Sequence, residues 1–376
     1  MSVTIKALHP TRGEVRKYVR FGIDLYKGNP CFVPPLVVDE IATLMPDKNP
    51  AYEHCRAQLF MAYRDGKPVG RITAIINDLV NKKNGSYVMR FGWVDFIDDT
   101  EVVDALFDAV CKWGREQGCE SIVGPMGFSD LDHEGMLIEG FDEMGTMATI
   151  YNYPYYKEHM ERMGFVKDAD WVEYRIKVPD AIPEKHKRIA DIIARKYGLR
   201  TVKYTNRNKL RDDYGKALFE LINEAYADLY GYSPLTPAEI DHYIKEYLGI
   251  LRLDDLSIVV DSDDRLVAVG IAMPSLSQAL RRSDGRLFPL GWYHLLQAIR
   301  GKVDVVDLLL VAVKPEYQSK GVNALLFADL IPAFRDNGYK YAESNLELEG
   351  NENVQRQWEY FERRQHRRRR AWRKPL

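Results

Sequence analysis

Apolar residues along this chain recur at two periods, and each change of period marks an element. Period-two or β-branched runs at residues 3–7, 58–63, 69–76, 89–96 and 121–124 predict strands in the first half. Helical spacing covers residues 12–26, 102–117 and 155–163, with Thr100 capping the second and Gly118 stopping it. Asp65-Gly66 between two of the strands predicts a hairpin. The order then returns. Strands are predicted at 199–204, 257–261, 266–273, 305–313 and 341–348, and helices at 214–229, after Gly321, and from Asn351 or Asn353. The pattern implies a duplicated α/β (α+β) architecture, each copy a mixed, mostly antiparallel sheet flanked by helices. Prolines and charged residues around Val178-Pro179-Asp180 divide the chain into units 1–178 and 199–376, joined by a helical linker at 179–198.

The run at 305–313 organises the second unit. It is too short to cross a membrane, is interrupted mainly by Asp307, and gives way to Pro315, which has no N–H for a ladder. A turn, Gln318-Ser319-Lys320-Gly321, then leads into a helical pattern at Val322. A strand that feeds a helix through a tight turn aims several unpaired N–H groups at one point, which suits a phosphate. Neither G-x-x-x-x-G-K-[ST] nor G-x-G-x-x-G is present, so the common nucleotide fingerprints do not apply.

The stretch instead resembles the acyl-CoA loop of the GNAT acyltransferases. Val313, Pro315, Tyr317, Gln318, Gly321, Val322 and Leu325 match V-x-P-x-[YF]-[QR]-x-x-G-[IV]-[GD]-x-x-L, with Asn323 where many members have glycine. Over its whole length the chain is similar to bacterial tandem-GNAT proteins, with further marks at Gly124-Pro125, Gly127-Phe128, Glu139-Gly140-Phe141, Tyr151-Asn152, Pro154-Tyr155-Tyr156 and Glu349-Gly350-Asn351. The resemblance implies two GNAT-like domains, a donor that is acetyl-CoA or a longer acyl-CoA, and an amine acceptor. It assigns the thioester to the backbone of Leu310, Val311 and Val313. The diphosphate falls to Gln318, Ser319, Lys320, Gly321, Val322 and Asn323, and a further cofactor contact to Asn351 or Asn353.

Alternation along 341–349 puts Glu343, Asn345, Glu347 and Glu349 on one strand face. An acidic face beside the loop attracts a cationic amine and supplies a base, and crowding raises carboxylate pKa values. The resemblance also implies a tyrosine, seven residues after the helix asparagine, that protonates the departing thiolate. Asn353 and Tyr360 fit that spacing.

The first unit has no counterpart of the 318–321 turn. Asp98, Asp99 and Glu101 at its helix start repel a diphosphate, and Met160 stands where many members carry the tyrosine. It is read as a degenerate scaffold that shapes substrate binding. Its long segment 124–154 carries Phe128, Met136, Leu137, Phe141, Met144 and Met147, which either meet an acyl chain or pack on their own core. His133 within it is a proton shuttle or a surface histidine. The insert 274–302, with Leu287, Leu290, Trp292, Leu295, Leu296 and Ile299, predicts an amphipathic helix that packs on protein, lids the site or touches a membrane.

Composition adds boundaries. Of 376 residues, 46% are hydrophobic and 29% charged, with net charge −2, which gives no global nucleic-acid or membrane signal. Cys31, Cys55, Cys111 and Cys119 show no metal or redox spacing, so free thiols and no metal are expected, and no nucleophile motif surrounds a cysteine or serine. The first residues carry no apolar leader, so a cytoplasmic location is expected. The arginine-rich residues 363–374 read as a basic edge strand, with anionic lipid or CoA phosphates as partners and a location peripheral to the inner membrane. The expected activity is direct acyl transfer from acyl-CoA to an amine, with a lipid or sphingoid amine as a narrower extension of the resemblance. Two readings stay open beside it: a FemX-like aminoacyl transferase using tRNA, and a non-catalytic acyl-CoA-binding regulator.

Overall fold

A computed structural model describes residues 2–376, with the side chain of Asn353 outside the described residues. The first half runs β1 (Thr4–Leu8), α1 (Arg12–Asp24), α2 (Val37–Thr43), β2 (Cys55–Arg64), β3 (Lys67–Asn77), α3 (Asp78–Asn84), β4 (Val88–Phe96), α4 (Thr100–Glu116), β5 (Ser121–Gly124), β6 (Met136–Glu139), α5 (Tyr155–Arg162) and β7 (Val166–Lys177). Helix α6 (Glu184–Tyr197) leads into β8 (Arg200–Val202), α7 (Arg207–Ala225), α8 (Pro237–Tyr247), β9 (Leu256–Val260), β10 (Leu266–Pro274), α9 (Ser277–Ser283), α10 (Gly291–Arg300) and β11 (Val305–Val313). The chain continues through α11 (Asn323–Asp336), β12 (Tyr341–Ser344), β13 (Glu347–Leu348), α12 (Glu352–Gln355) and β14 (Arg363–Pro375).

Local chemistry explains many of these boundaries. Asp65 and Gly66 both adopt positive φ, +53° and +76°, the twist that a two-residue hairpin between β2 and β3 requires. Thr11 caps α1, Asp99 caps α4, and Thr236 and Glu239 form a reciprocal capping box on α8.

The strands form one sheet in the order β1-β2-β3-β4-β5-β14-β7-β12-β11-β10-β9-β8. The order reads the same from either edge, with β14 and β7 at the centre. In each half four strands are antiparallel and the fifth joins in parallel, β5 beside β4 and β12 beside β11. The central pair is exchanged: β7, from the first half, lies against β12, and β14, from the second half, lies against β5. Each half therefore completes the other's sheet.

This placement corrects the reading of the arginine-rich segment as a basic edge strand. β14 is central, and Arg367 and Arg369 are 1% exposed. Both guanidiniums donate to Glu173 of β7, which is itself fully buried. Burial alone raises the Glu173 pKa, but the two guanidiniums bring it below its ordinary value. Arg370 pairs with Asp170 at 2.7 Å and Arg373 with Asp168 at 2.7 Å. These four cations pair with carboxylates of the neighbouring strand.

Other elements differ from the pattern-based expectation. The 341–348 strand breaks after Ser344, and the insert holds two helices, α9 and α10. α2, α3, β6, β7 and α8 have no counterpart among the elements the pattern predicts; β7 hides its strand period under charges that pair across the sheet.

Candidate functional site

β11 and β12 pair only from Val305↔Tyr341 to Leu308↔Ser344. Beyond that point β12 ends, while β11 continues to Val313 along β10 alone. The bend has a cause. Between Ile271↔Leu310 and Ala272↔Leu308 the register shifts, so Leu309 is an extra residue, and a bulge of this kind turns a strand away from its neighbour. The result is a split with the edge of β11 on one side. Two side chains already reach that edge: Asn345 Nδ2 donates to the Leu309 carbonyl at 3.1 Å, and the Tyr226 hydroxyl donates to the Val311 carbonyl at 2.9 Å. Burial pushes the Tyr226 pKa above its ordinary value.

The turn between β11 and α11 stands at the mouth of the split. Ser319 and Gly321 take positive φ, +58° and +80°, and residues 318–321 are exposed. Among the described residues, the amides of Ser319, Gly321, Val322 and Asn323 have no hydrogen-bond partner, and no side chain caps α11. Left-handed residues within a turn that opens a helix make an anion-binding concavity. The remaining polar groups brace it. Gln318 Nε2 donates to the Val313 carbonyl at 3.1 Å, Asn323 Nδ2 donates to Gln357 at 3.2 Å, and the Lys320 ammonium lies 5.4 Å and 5.5 Å from the rings of Tyr197 and Tyr317. Val311 is partly exposed, Val313 is buried against α6 and α11, and Leu310 packs with the α7 and α8 core.

Behind the split lies a carboxyl that pattern reading treated only as an interruption. Asp307 is 3% exposed, and neither of its oxygens has a hydrogen-bond partner among the described residues. Burial, and then the neighbouring Glu343, push its pKa up to about 7. Glu343 is its register partner on β12. Glu343 Oε2 lies 2.8 Å from His366 Nε2 and 3.3 Å from Arg367 Nη2. One polar residue inside an apolar strand was the available signal, since such a strand excludes charge unless something uses it.

The expected acidic face does not form, because β12 ends when β11 leaves it and the period-two alternation ends with it. Glu343 points to His366 and Arg367. Glu347 accepts from Trp358 Nε1 at 2.6 Å, and burial pushes its pKa up to about 7. Glu349 is half exposed and bonds to Lys167 and Arg368, which hold its pKa below the usual carboxylate range. These three glutamates occupy three separate sites. Tyr360 is 48% exposed, and its hydroxyl accepts from Lys185 Nζ at 2.5 Å. Asn351 is engaged as the cap of α12, accepting from the Val354 amide at 3.4 Å. The proposed contact by the Asn353 side chain lies outside the described residues.

One wall of the split comes from the first half. Arg367 donates to the Met144 carbonyl, and Ser277 Oγ donates to the Gly145 carbonyl at 3.2 Å. Met144 and Met147 join Leu309, Leu295 and Ile299 in one apolar cluster, while Leu131 joins the α7 and α8 core. His133 Nε2 is 2.9 Å from the Met147 carbonyl, inside this segment rather than on open surface. The first half's own split, between β4 and β5, is filled. The Met126 amide donates to the Phe91 carbonyl at 2.8 Å, and a Cβ on Gly92 would sit 2.5 Å from the Met126 carbonyl oxygen. A cavity of about 60 Å³ lies beside Trp93 and Asp95 of β4 with no β5 residue in its lining, and one of about 660 Å³ is lined by Val88, Arg90, Ser121, Val123 and Met126. The α4 start is occupied by Asp99, which Arg64 grips at 2.7 Å.

No family model matches the chain. The protein YghO of Escherichia coli K12 is 29% identical over 327 residues, 86% of this chain and 82% of that protein. A bacterial ceramide synthase of Caulobacter vibrioides is 28% identical over 348 residues, 91% and 89% of the two chains. Among solved structures, a tandem GNAT protein from the clavulanic acid biosynthesis pathway superposes with a TM-score of 0.56 at 13% identity, covering 100% of this chain and 98% of that one. A probable N-acyltransferase of Enterococcus faecalis gives 0.53 at 9% identity, covering 100% and 73%.

Proposed function

Because the chain has the tandem GNAT fold, we propose that it is an acyl-CoA-dependent N-acyltransferase working through the split between β11 and β12. One observation carries the reading: four partnerless amides stand at the mouth of the split and an unpaired buried carboxyl stands behind it. The amides of Ser319, Gly321, Val322 and Asn323 grip the diphosphate, and the thioester lies along the open edge of β11. The amine attacks the thioester carbonyl carbon, forming the C–N bond as the C–S bond breaks. Asp307 takes the proton from the attacking nitrogen; an acid titrating near 7 suits that task at neutral pH. Tyr226, already in the split, gives a proton to the departing thiolate, the role assigned from the sequence to Tyr360.

The acceptor is proposed to be a lipid amine. Support comes from the apolar wall of Met144, Met147, Leu295, Ile299 and Leu309, and from the similarity to a protein named as a ceramide synthase. Calorimetric titration with acetyl-CoA and a long-chain acyl-CoA tests the donor site. Saturable binding is expected, weakened about tenfold in Gly321→Ala, because a side chain in the left-handed region strains the turn that aims the amides. Failure of the unaltered protein to bind either thioester overturns the reading.

A further inference from the structure

We propose that the outer face of α10, with the turn before it, is a docking surface for an anionic lipid bilayer. Phe288, Leu290, Trp292, Tyr293 and Leu296 are 72%, 60%, 44%, 46% and 36% exposed, an unusual concentration of large apolar side chains in nine residues. The opposite face of the same helix is packed: Leu295, Ala298 and Ile299 sit on Met273, Leu276 and Leu280. The helix is therefore anchored from within and leaves its outer stripe uncovered. Its composition fits the boundary between headgroups and acyl chains, where tryptophan and tyrosine place a ring in apolar surroundings and a polar edge in wet ones. The Trp292 indole N–H is already satisfied by the Pro289 carbonyl at 3.0 Å, so its ring enters hydrocarbon without stranding a donor.

Charge selects the occupant. Between residues 277 and 302 the acidic side chains amount to Asp284 alone, against Arg281, Arg282, Arg286, Arg300 and Lys302. Asp284 is held by Arg20 at 2.8 Å. Arg282, Arg300 and Lys302 are exposed and make no ion pair with any described residue. The cations stand before and after the apolar stripe, where they meet phosphate groups of a membrane surface. A second copy of this chain is a poorer occupant, since a two-fold contact sets the same cations on both partners face to face.

The surface is the outer side of the helix whose inner side, through Leu295 and Ile299, walls the proposed acceptor site, and its test needs no turnover. The full chain is sedimented with vesicles of phosphatidylcholine alone and with vesicles that also contain phosphatidylglycerol. Binding to the mixed vesicles, weakened by added salt, is expected. Leu290→Glu with Trp292→Glu lowers the bound fraction about tenfold or more, and Arg282→Glu with Arg300→Glu does so on mixed vesicles. Both pairs are at exposed positions, and an unchanged melting temperature shows that the fold is kept. Absence of binding to mixed vesicles, binding that neither pair alters, or a dimer in sedimentation equilibrium that Leu290→Glu/Trp292→Glu dissolves overturns the proposal.

Discussion

Asp307 is buried beside Glu343, and the help it draws from Ser275 and the Arg367 guanidinium falls short of the cost of its charge. Its raised pKa has a definite sign in stability. Between the ordinary carboxylate range and about 7, the folded chain holds a proton that the unfolded chain has released, so stability falls as pH rises through that window. At about 1.4 kcal/mol per pKa unit the ionised carboxyl costs about 4 kcal/mol above pH 7. Asp307→Asn is therefore expected to make the fall in stability between pH 4 and 8 shallower, read by urea denaturation, with the share carried by Glu347 and the other buried acids remaining. On the proposed mechanism it is also expected to lower turnover and remove its dependence on a group titrating near pH 7, while leaving acyl-CoA affinity unchanged. The residue was visible in the sequence as a single acid in an apolar run, but Glu343, Glu347 and Glu349 drew attention through their regular spacing. That spacing assumed an unbroken strand. The bulge at Leu309, set by how β10 and β11 register, removes the neighbour that would have kept β12 straight.

At the scale of elements, the strand–turn–helix from β11 to α11 could be read directly, because its determinants lie within about twenty adjacent residues. β14 could not. Its arginines carry the composition of a solvated tail, and only their partners on β7, with Arg367 and Glu173 separated by 194 residues, show them to be interior. The pair of guanidiniums on one carboxylate predicts a steep penalty for breaking it. Glu173→Gln leaves the buried Arg369 without a carboxylate and Arg367 with Glu343 alone, and is expected to cost about 3–5 kcal/mol in chemical denaturation. The insert was similarly half legible: its apolar residues predicted a helix, yet which of them turn outward depends on α9 beneath it.

Across the whole molecule, the duplicated order of elements was legible and the exchange of central strands was not, since each half matches the same local pattern whichever partner it pairs with. Division at residue 178 follows β7 in the chain but cuts across the sheet, because β14 stays on the other piece. A chain ending at residue 362 bares the facing edges of β5 and β7 and strands Glu173 without its guanidiniums. Limited proteolysis of that truncation is expected to cut within both halves, where the full chain resists.

The exchange also sets a timetable. Arg373 of β14 meets Ser121 of β5 across 252 residues of sequence, so a ribosome adding residues at ordinary speed leaves β5 without its neighbour for roughly 10–50 s. During synthesis the first sheet waits, open along one side, for a strand not yet translated, and the interval rather than the finished fold is where this chain most needs protection from other nascent polypeptides.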